Sequence, residues 1–483
     1  MLGGRVDKPD PFHPATVLRR WDKDAFTLED ATTGVCVFGG TGSGKTSGPA
    51  KHLALAYMAR QFGGLVLCSK KEERGMWETW AAEASRSKDL AIFDASGTFR
   101  FNFMEWEAQR PGEGAGLGIN IVSMLDEIAA AVTGGSGDAA GEAGDNNKFF
   151  TDALHHLNAN AVDLAIAART PLTLPFLRSL INSAPRSLQE AQDPQWQKES
   201  DCWVALEEAE ELTRGADEDT RATVKECRQY FLNEFSGLNE RTRSIILLYF
   251  AMLVRPFLTK PLRSLFATTT NLQPEDAFDG KIIVVDVPVQ EYRLVGRLAN
   301  LAWKYCMQIA VMRRARGGRE QRLRPIFIWA DEAQQFVSSF DAEYQAVARS
   351  GAGCTVYITQ NRESYRRVLQ DDDAVDSLLG NLQCKVFCQN SSVDTNEWAA
   401  KLLGQNWVGV VSTSTNRQGP EPNGTSGVSR SDQYRYRVEP GEFTVLRRGG
   451  VHHDHRIDAI VYNGGKVFDG GKSFRVLTFD QTR

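Results

Sequence analysis

Gly39-Gly40-Thr41-Gly42-Ser43-Gly44-Lys45-Thr46 is the stretch whose reading decides the fold. It follows the short apolar run Val35-Cys36-Val37-Phe38 and precedes a segment, Ser47 to Gln61, that reads as helix. Strand, glycine loop, Gly-Lys-Thr and helix form the phosphate-binding-loop pattern in the structural context it needs. Backbone N–H groups of such a turn and of the helix start wrap phosphate oxygens, and glycine lets the backbone take positive φ or approach the ligand closely. Lys45 is expected to neutralise the β and γ oxygens, and the Thr46 hydroxyl to ligate Mg²⁺. The pattern implies a nucleoside triphosphatase and leaves open what the hydrolysis drives.

Such a site needs a carboxylate partner for the metal. The run Pro325-Ile326-Phe327-Ile328-Trp329-Ala330-Asp331-Glu332 supplies one candidate. An apolar strand delivers Asp331 to the carboxyl edge of a sheet, where it can hold Mg²⁺ through water. Glu332 follows at once and suits a general base acting on the attacking water. The plainer reading, an acidic pair capping a helix that begins at Ala333, is compatible with both roles. Next come Ala348-Arg349-Ser350-Gly351-Ala352-Gly353, the strand Cys354 to Thr359, and Gln360. Gln360, at a strand end beside the carboxylates, is placed to sense the γ-phosphate; otherwise it is an ordinary strand-end polar group. Arg349 either compensates a helix C-terminus or acts as an arginine finger in a neighbouring subunit's site.

Around these motifs the chain alternates. Thr16 to Thr33 reads as a small hairpin. Strands are expected at Gly64 to Cys68 and Leu90 to Phe93, with a helix from Glu72 to Arg86 between them. Further strands are expected at Lys281 to Asp286, Ile326 to Ala330, Cys354 to Thr359 and Cys384 to Cys388. Helices from Arg293 to Arg316, Ala333 to Arg349 and Asp373 to Leu379 separate them. Near-continuous apolar strands joined by helices indicate an α/β fold with a mostly parallel sheet. Residues 133–146 read as a loop, and from Asn147 to about Glu240 the pattern is helical, with Phe150, Leu154, Leu157, Ala161 and Leu164 in one stripe. Residues 411–440 are expected to be a mobile segment, followed by short strands that include Phe443 to Leu446 and Ile457 to Tyr462.

The bulk numbers exclude more than they assign. At 483 residues, with 42% hydrophobic and 24% charged residues, the chain suits a globular protein of two or three domains. Its net charge of −5 shows no global basic field, which does not argue against a positive channel inside a ring. The eight cysteines are scattered, as expected of buried thiols in a reducing cytosol. There is no signal-peptide pattern at Met1 to Pro14, and the longest apolar run, Ile245 to Val254, has about half the ~20 residues of a membrane span.

Taken together, FGGTGSGKT, IWADEAQQF, the ARSGAG turn and the YITQN strand resemble the HerA–FtsK superfamily of ring-forming motors. They look most like the TraG/TraD coupling ATPases of conjugation and type IV secretion. The FRFNF stretch, the helix ERTRSIILLYFAMLVRPFL and the strand GKIIVVDVP are similar too. The resemblance implies a RecA-like P-loop core, residues 1–106 and 244–483, with an inserted all-α domain over 107–243. It implies ATP and Mg²⁺ as ligands, with Gly39 to Thr46 around the phosphates and Thr46 and Asp331 on the metal. It also implies Glu332 and Lys45 in catalysis, Arg349 as a finger acting in trans and Gln360 as the sensor. DNA would be the translocated substrate, and the active form a self-associated hexamer with secretion, mobilisation or defence proteins as partners. Phe103 stands after Asn102 where the family usually has Pro, and Ser69 precedes Lys70 and Lys71 where an acidic residue is usual. The family's N-terminal transmembrane pair has no counterpart, so the expected location is cytoplasmic, with recruitment to the inner membrane through a partner.

Two other readings stay open. Asp331-Glu332-Ala333-Gln334 also fits the DExx box of a monomeric helicase, although that needs a second RecA-like domain of roughly ~150 residues. An adaptor that uses ATP to gate a protein complex, recruiting protein substrates, is the third. The arginine run Arg313, Arg314, Arg316, Arg319, Arg322 and Arg324 suggests either compensation of a helix C-terminus with a solvated loop, or contact with nucleic acid or a partner. His452, His453, Asp454 and His455 resemble metal ligands, and in an extended segment His453 and His455 would share a face, but a full ligand set is not evident.

Overall fold

The strand Val35–Phe38 is buried at every position, and its sequence, VCVF, has no polar face. Such a strand belongs in the middle of a parallel sheet. In the computed structural model, residues 10–133, 144–314, 322–416 and 425–482 are described. The chain is α/β, with large, mostly parallel sheet structure flanked by helices. Contacts divide it into two compact units, one made of residues 1–60, 331–349 and 353–483, the other of 61–330 and 350–352.

In the first unit, Val35–Phe38 lies between Gly353–Thr359 and Cys384–Phe387, parallel to both. Arg456–Asn463 runs antiparallel to Cys384–Phe387, and Phe474–Asp480 antiparallel to Arg456–Asn463. The expected hairpin forms from Val17–Trp21 and Asp24–Thr27. It leads into the short helix Leu28–Thr32, capped by Thr27 and Asp30. Lys466 Nζ ties Asp30 Oδ2 at 2.6 Å, and Arg475 pairs with Asp22 and Asp24, which fastens this N-terminal hairpin to the C-terminal strands.

In the second unit, the strands up to Ala330 of Ile326–Asp331, Gly63–Leu67, Ile282–Asp286 and Leu90–Asp94 are parallel in that order. Trp77, on the helix Glu72–Glu83, stacks on Phe327 at 5.3–5.4 Å centroid distances with Trp329 and Trp80 edge-on. The buried Asn300 of the helix Leu294–Arg314 accepts from Cys68 N at 3.0 Å and donates to Val287 O and Gly296 O, so its amide is paired without water. Helices follow one another from Phe103–Gln109 to Leu262–Phe266. They share this unit with the four strands, so the contacts do not divide the chain at the 107 and 243 boundaries. All eight cysteines are buried and free; burial pushes Cys36 and Cys384 up to about 12, so both stay thiols.

The structure corrects four expectations. The mobile segment is a hairpin, Gln405–Asn416 paired with Thr425–Tyr436 in continuous antiparallel register. Trp407 lies 5.1 Å from Tyr434 across the pair. Residues 417–424 lie outside the described residues. The expected strand at Phe443 is a 3₁₀ turn, Pro440–Val445, opened by a proline and a Glu439/Glu442 capping box. The helix expected over Ala333 to Arg349 is one 3₁₀ turn, Ala333–Gln335, followed by Phe340–Val347. Asp341 breaks it by accepting from Ser338 N at 2.7 Å while Tyr357 donates to its other oxygen at 2.5 Å.

The arginine run is the fourth. Arg313 is bidentate on the fully buried Glu107, at 2.6 and 2.8 Å, and Arg110 shares that carboxylate. Arg314 and Arg324 donate to backbone carbonyls, so these three bind their own fold. Arg316 and Arg319 lie outside the described residues, as does most of the expected loop at 133–146. Trp77→Ala should lower stability by about 3–5 kcal/mol through the cavity it leaves. Chemical denaturation should show the loss, and a midpoint equal to wild type would refute this account of the core.

Candidate functional site

Because Val35–Phe38 is central, the chain after Phe38 leaves the sheet at its carboxyl edge, where an α/β fold presents ligands. Gly39 N donates to Thr359 O and Gly40 N to Gln389 O, which anchors the loop to both neighbouring strand ends. Gly42 and Gly44 take φ of 71° and 80°, a region that other residues enter at a cost. A Cβ on Gly39 would stand 2.4 Å from Ser43 Oγ and 2.9 Å from Cys388 Cβ, so the loop closes tightly there. Burial pushes the Cys388 thiol up to about 12, with the Lys45 charge acting weakly against it, so the floor under the loop is neutral.

The helix expected from Ser47 starts as a π-turn, Thr46–Ala50, and becomes α-helical at Lys51–Ala59. Pro49 has no N–H to give to the carbonyl of Lys45, so Ala50 N takes it at 3.1 Å and the turn widens by one residue. Lys45 is buried, and Ser43 Oγ is buried with no hydrogen-bond partner.

Thr46 Oγ1 donates to Asp331 Oδ2 at 2.8 Å. Asp331 Oδ1 accepts from the Glu332 N–H at 2.9 Å. Glu332 takes a left-handed φ of 54°, uncommon for a residue with a Cβ, and is buried beside Asp331. Gln334 Nε2 donates to Glu332 Oε2 at 2.8 Å, and Gln360 Nε2 approaches the same oxygen at 3.4 Å. Thr359 Oγ1 donates to Gln334 Oε1 at 2.9 Å, which fixes the direction of the Gln334 amide. Asn390 Nδ2 holds the Gln360 carbonyl at 2.8 Å, and Asn396 holds that of Asn390.

The structure therefore brings Thr46, Asp331, Glu332 and Gln360 into one cluster, with Lys45 and the glycine loop beside Thr46 in the chain. Arg349 is not joined to it: its guanidinium, 63% exposed, pairs with Glu29 at 2.6 Å. Sequence reasoning missed Gln334, Thr359 and Asn390. The first two stand next to residues it did select, and only the local break in the helix after Glu332 turns Gln334 inward. Chemically, a hydroxyl and a carboxylate at 2.8 Å can share a hydrated divalent cation, and a second buried carboxylate held by amides can take a proton.

Residues 325–448 match the family described as the TraM recognition site of TraD and TraG. No curated protein matches the sequence. Among solved structures, the bacterial conjugative coupling protein TrwBΔN70, a trigonal form in complex with sulphate, is similar at a TM-score of 0.59 and 14% identity, covering 96% of this chain and 91% of that one. The plasmid coupling protein TrwB in complex with a non-hydrolysable ATP analogue, ADPNP, gives a TM-score of 0.57 at 13% identity over 96% and 92% of the two chains. TrwB with ADP and Mg²⁺ gives 0.56 at 12% identity over 95% and 88%. At these identities the likeness is one of fold alone. Among the described residues no helix is long and apolar enough to cross a membrane. By sequence over 325–448 the chain is similar to the TraM recognition site of TraD and TraG, and by fold over 96% of its length it is similar to a bacterial conjugative coupling protein.

Proposed function

We propose that this chain is an Mg²⁺- and ATP-dependent motor that works as a ring, a hexamer when active, and translocates DNA. The observation that carries the reading is the cluster Thr46–Asp331–Glu332, which joins the phosphate loop to two buried carboxylates. The residues fit a nucleoside triphosphate and its metal. The unpartnered Ser43 hydroxyl and the open space over Gly42 are what a phosphate would fill. That TrwB is seen with ADPNP, and with ADP and Mg²⁺, supports the same ligands here. Lys45 and the loop N–H groups would hold the phosphates, and Thr46 and Asp331 the Mg²⁺, which supplies charge neutralisation when bound. Glu332 would accept the proton of the attacking water, with Gln334 fixing its carboxylate and Gln360 reading the γ-phosphate.

Arg349 would act in a neighbouring subunit's site, a role its exposed position supports. A salt bridge this exposed holds it with at most about 1 kcal/mol. Within this reading residues 107–243 form the inserted α domain, and the protein works in the cytoplasm, brought to the inner membrane by a partner. A second reading, an ATP-gated adaptor for protein substrates, is favoured by the match to a TraM recognition segment. ATPase stimulation by DNA supports the motor; stimulation only by a protein partner supports the adaptor.

Glu332→Gln should keep ATP affinity and lower turnover by about 10²–10⁴-fold; undiminished hydrolysis would sink the assignment. Arg349→Ala should bind ATP normally and lose about 10³-fold or more in turnover. Mixing it with Lys45→Ala subunits should restore part of the activity, since each supplies what the other lacks. Full turnover by Arg349→Ala alone, or mixtures without recovery, would remove the trans role.

A further inference from the structure

Thr46 and Ser47 are consecutive hydroxyls with different partners. Thr46 faces Asp331, while Ser47 Oγ accepts from Gln481 Nε2 at 2.7 Å. The other end of the same carboxamide, Gln481 Oε1, accepts from Gly450 N at 2.6 Å. One side chain therefore spans from the residue after Gly-Lys-Thr to the loop that carries His452, His453 and His455. That loop is closed at its base. Arg448 bridges Ile457, and Arg447 is bidentate on Asp458 at 2.6 and 2.7 Å. It doubles back tightly: Gly449, Gly450, Asp454 and His455 all have positive φ, and the N–H groups of His453 and His455 both reach Gly450 O.

The loop also abuts the phosphate loop directly. A Cβ on Gly44 would lie 2.4 Å from Ile457 Cδ1 and 2.9 Å from Arg448 O, and one on Gly48 would lie 2.7 Å from Ile457 Cδ1. Both glycines are thus required by the C-terminal strands, and Gly44 also lies in the phosphate loop. A Cβ on Gly450 would meet nothing within 4 Å, so the loop's outer side is open. Gly449 is different: a Cβ there would stand 2.3 Å from Gln481 Oε1, so the carboxamide is seated against the loop backbone.

In a phosphate loop the metal and the γ-phosphate lie on the Thr46–Asp331 side, and the nucleoside leaves from the other end of the phosphate chain. Ser47 turns its hydroxyl to Gln481 while Thr46 turns to Asp331, and on that divergence Ser47, Gln481 and the histidine loop are assigned to the nucleoside end. The geometry points to the segment Arg448–His455 as the nucleoside-recognition wall of this nucleotide site, held in register by Gln481. The ligand it takes is the base and ribose of a nucleoside triphosphate, against imidazole faces and the exposed Arg448 side chain. Gln481 is a positioning residue, since it acts through Ser47 and Gly450. The inference rests on the nucleotide reading above and deepens it.

Binding of two ligands to the full-length protein separates the nucleoside from the phosphates: ATP, and inorganic tripolyphosphate, each with Mg²⁺. The double variant His452→Ala/His453→Ala changes side chains on the loop's outer part, and Gln481→Ala removes the tie. Both should weaken ATP about tenfold and leave tripolyphosphate within about twofold, with unchanged melting temperature for the histidine variant. Lys45→Ala should weaken both ligands together. Equal weakening of ATP and tripolyphosphate in the loop variants, or no change in either, would overturn the inference while leaving the phosphate site standing. Failure of the wild type to bind either ligand would overturn the nucleotide reading and this inference with it.

Discussion

The hydrogen bond from Thr46 to Asp331 joins two residues 285 positions apart, and the rest of the site depends on it. For that contact to exist, Asp331 must come to the place where the chain turns out of Val35–Phe38 into the glycine loop. Hydrogen bonds to charged groups are worth about 1.5–3 kcal/mol, far less than burying two adjacent carboxylates would cost without partners. Each carboxylate is therefore supplied with donors: Asp331 by Thr46 and the Glu332 N–H, Glu332 by Gln334 and Gln360. The left-handed backbone at Glu332 is the local cost of turning both side chains toward one place.

The same constraint explains the irregular backbone around the site. A regular helix from Ala333 would carry Gln334 elsewhere; the single 3₁₀ turn lets it reach both Glu332 and Thr359. On the other side, Pro49 widens the first turn after the phosphate loop into a π-turn. Ile457 packs where only the glycines at 44 and 48 leave room. The C-terminal strands thus pack directly against the glycine loop and limit its shape.

Most of the strands were legible because buried parallel strands are continuous apolar runs, and VCVF, IFIWAD and IIVVD have no competing reading. The elements that were misread are those whose conformation answers to side chains distant in sequence. The hairpin Gln405–Asn416/Thr425–Tyr436 is rich in Ser, Thr and Asn, a composition that reads as a loop, and it is the pairing of its two strands that makes it regular. The break before Phe340 is made by Asp341, which is held by Tyr357 on the next strand. Arg313 and its neighbours carried the signature of a solvated basic run, yet Glu107, over two hundred positions away, takes Arg313 into a buried pair.

By itself, the sequence determined the class of fold and marked out the glycine loop and the acidic pair that the structure brings together. Those signals are local: a run of apolar residues, a spacing of glycines, an acidic pair at a strand end. Only the tertiary structure decided that Gln334 orients Glu332, that Arg349 stands apart beside Glu29, and that Gln481 connects Ser47 to the histidine loop. Hydrogen bonds and ion pairs act over about 3 Å, and which residues come that close is settled by how the strands are ordered and where the backbone turns, information no local pattern contains.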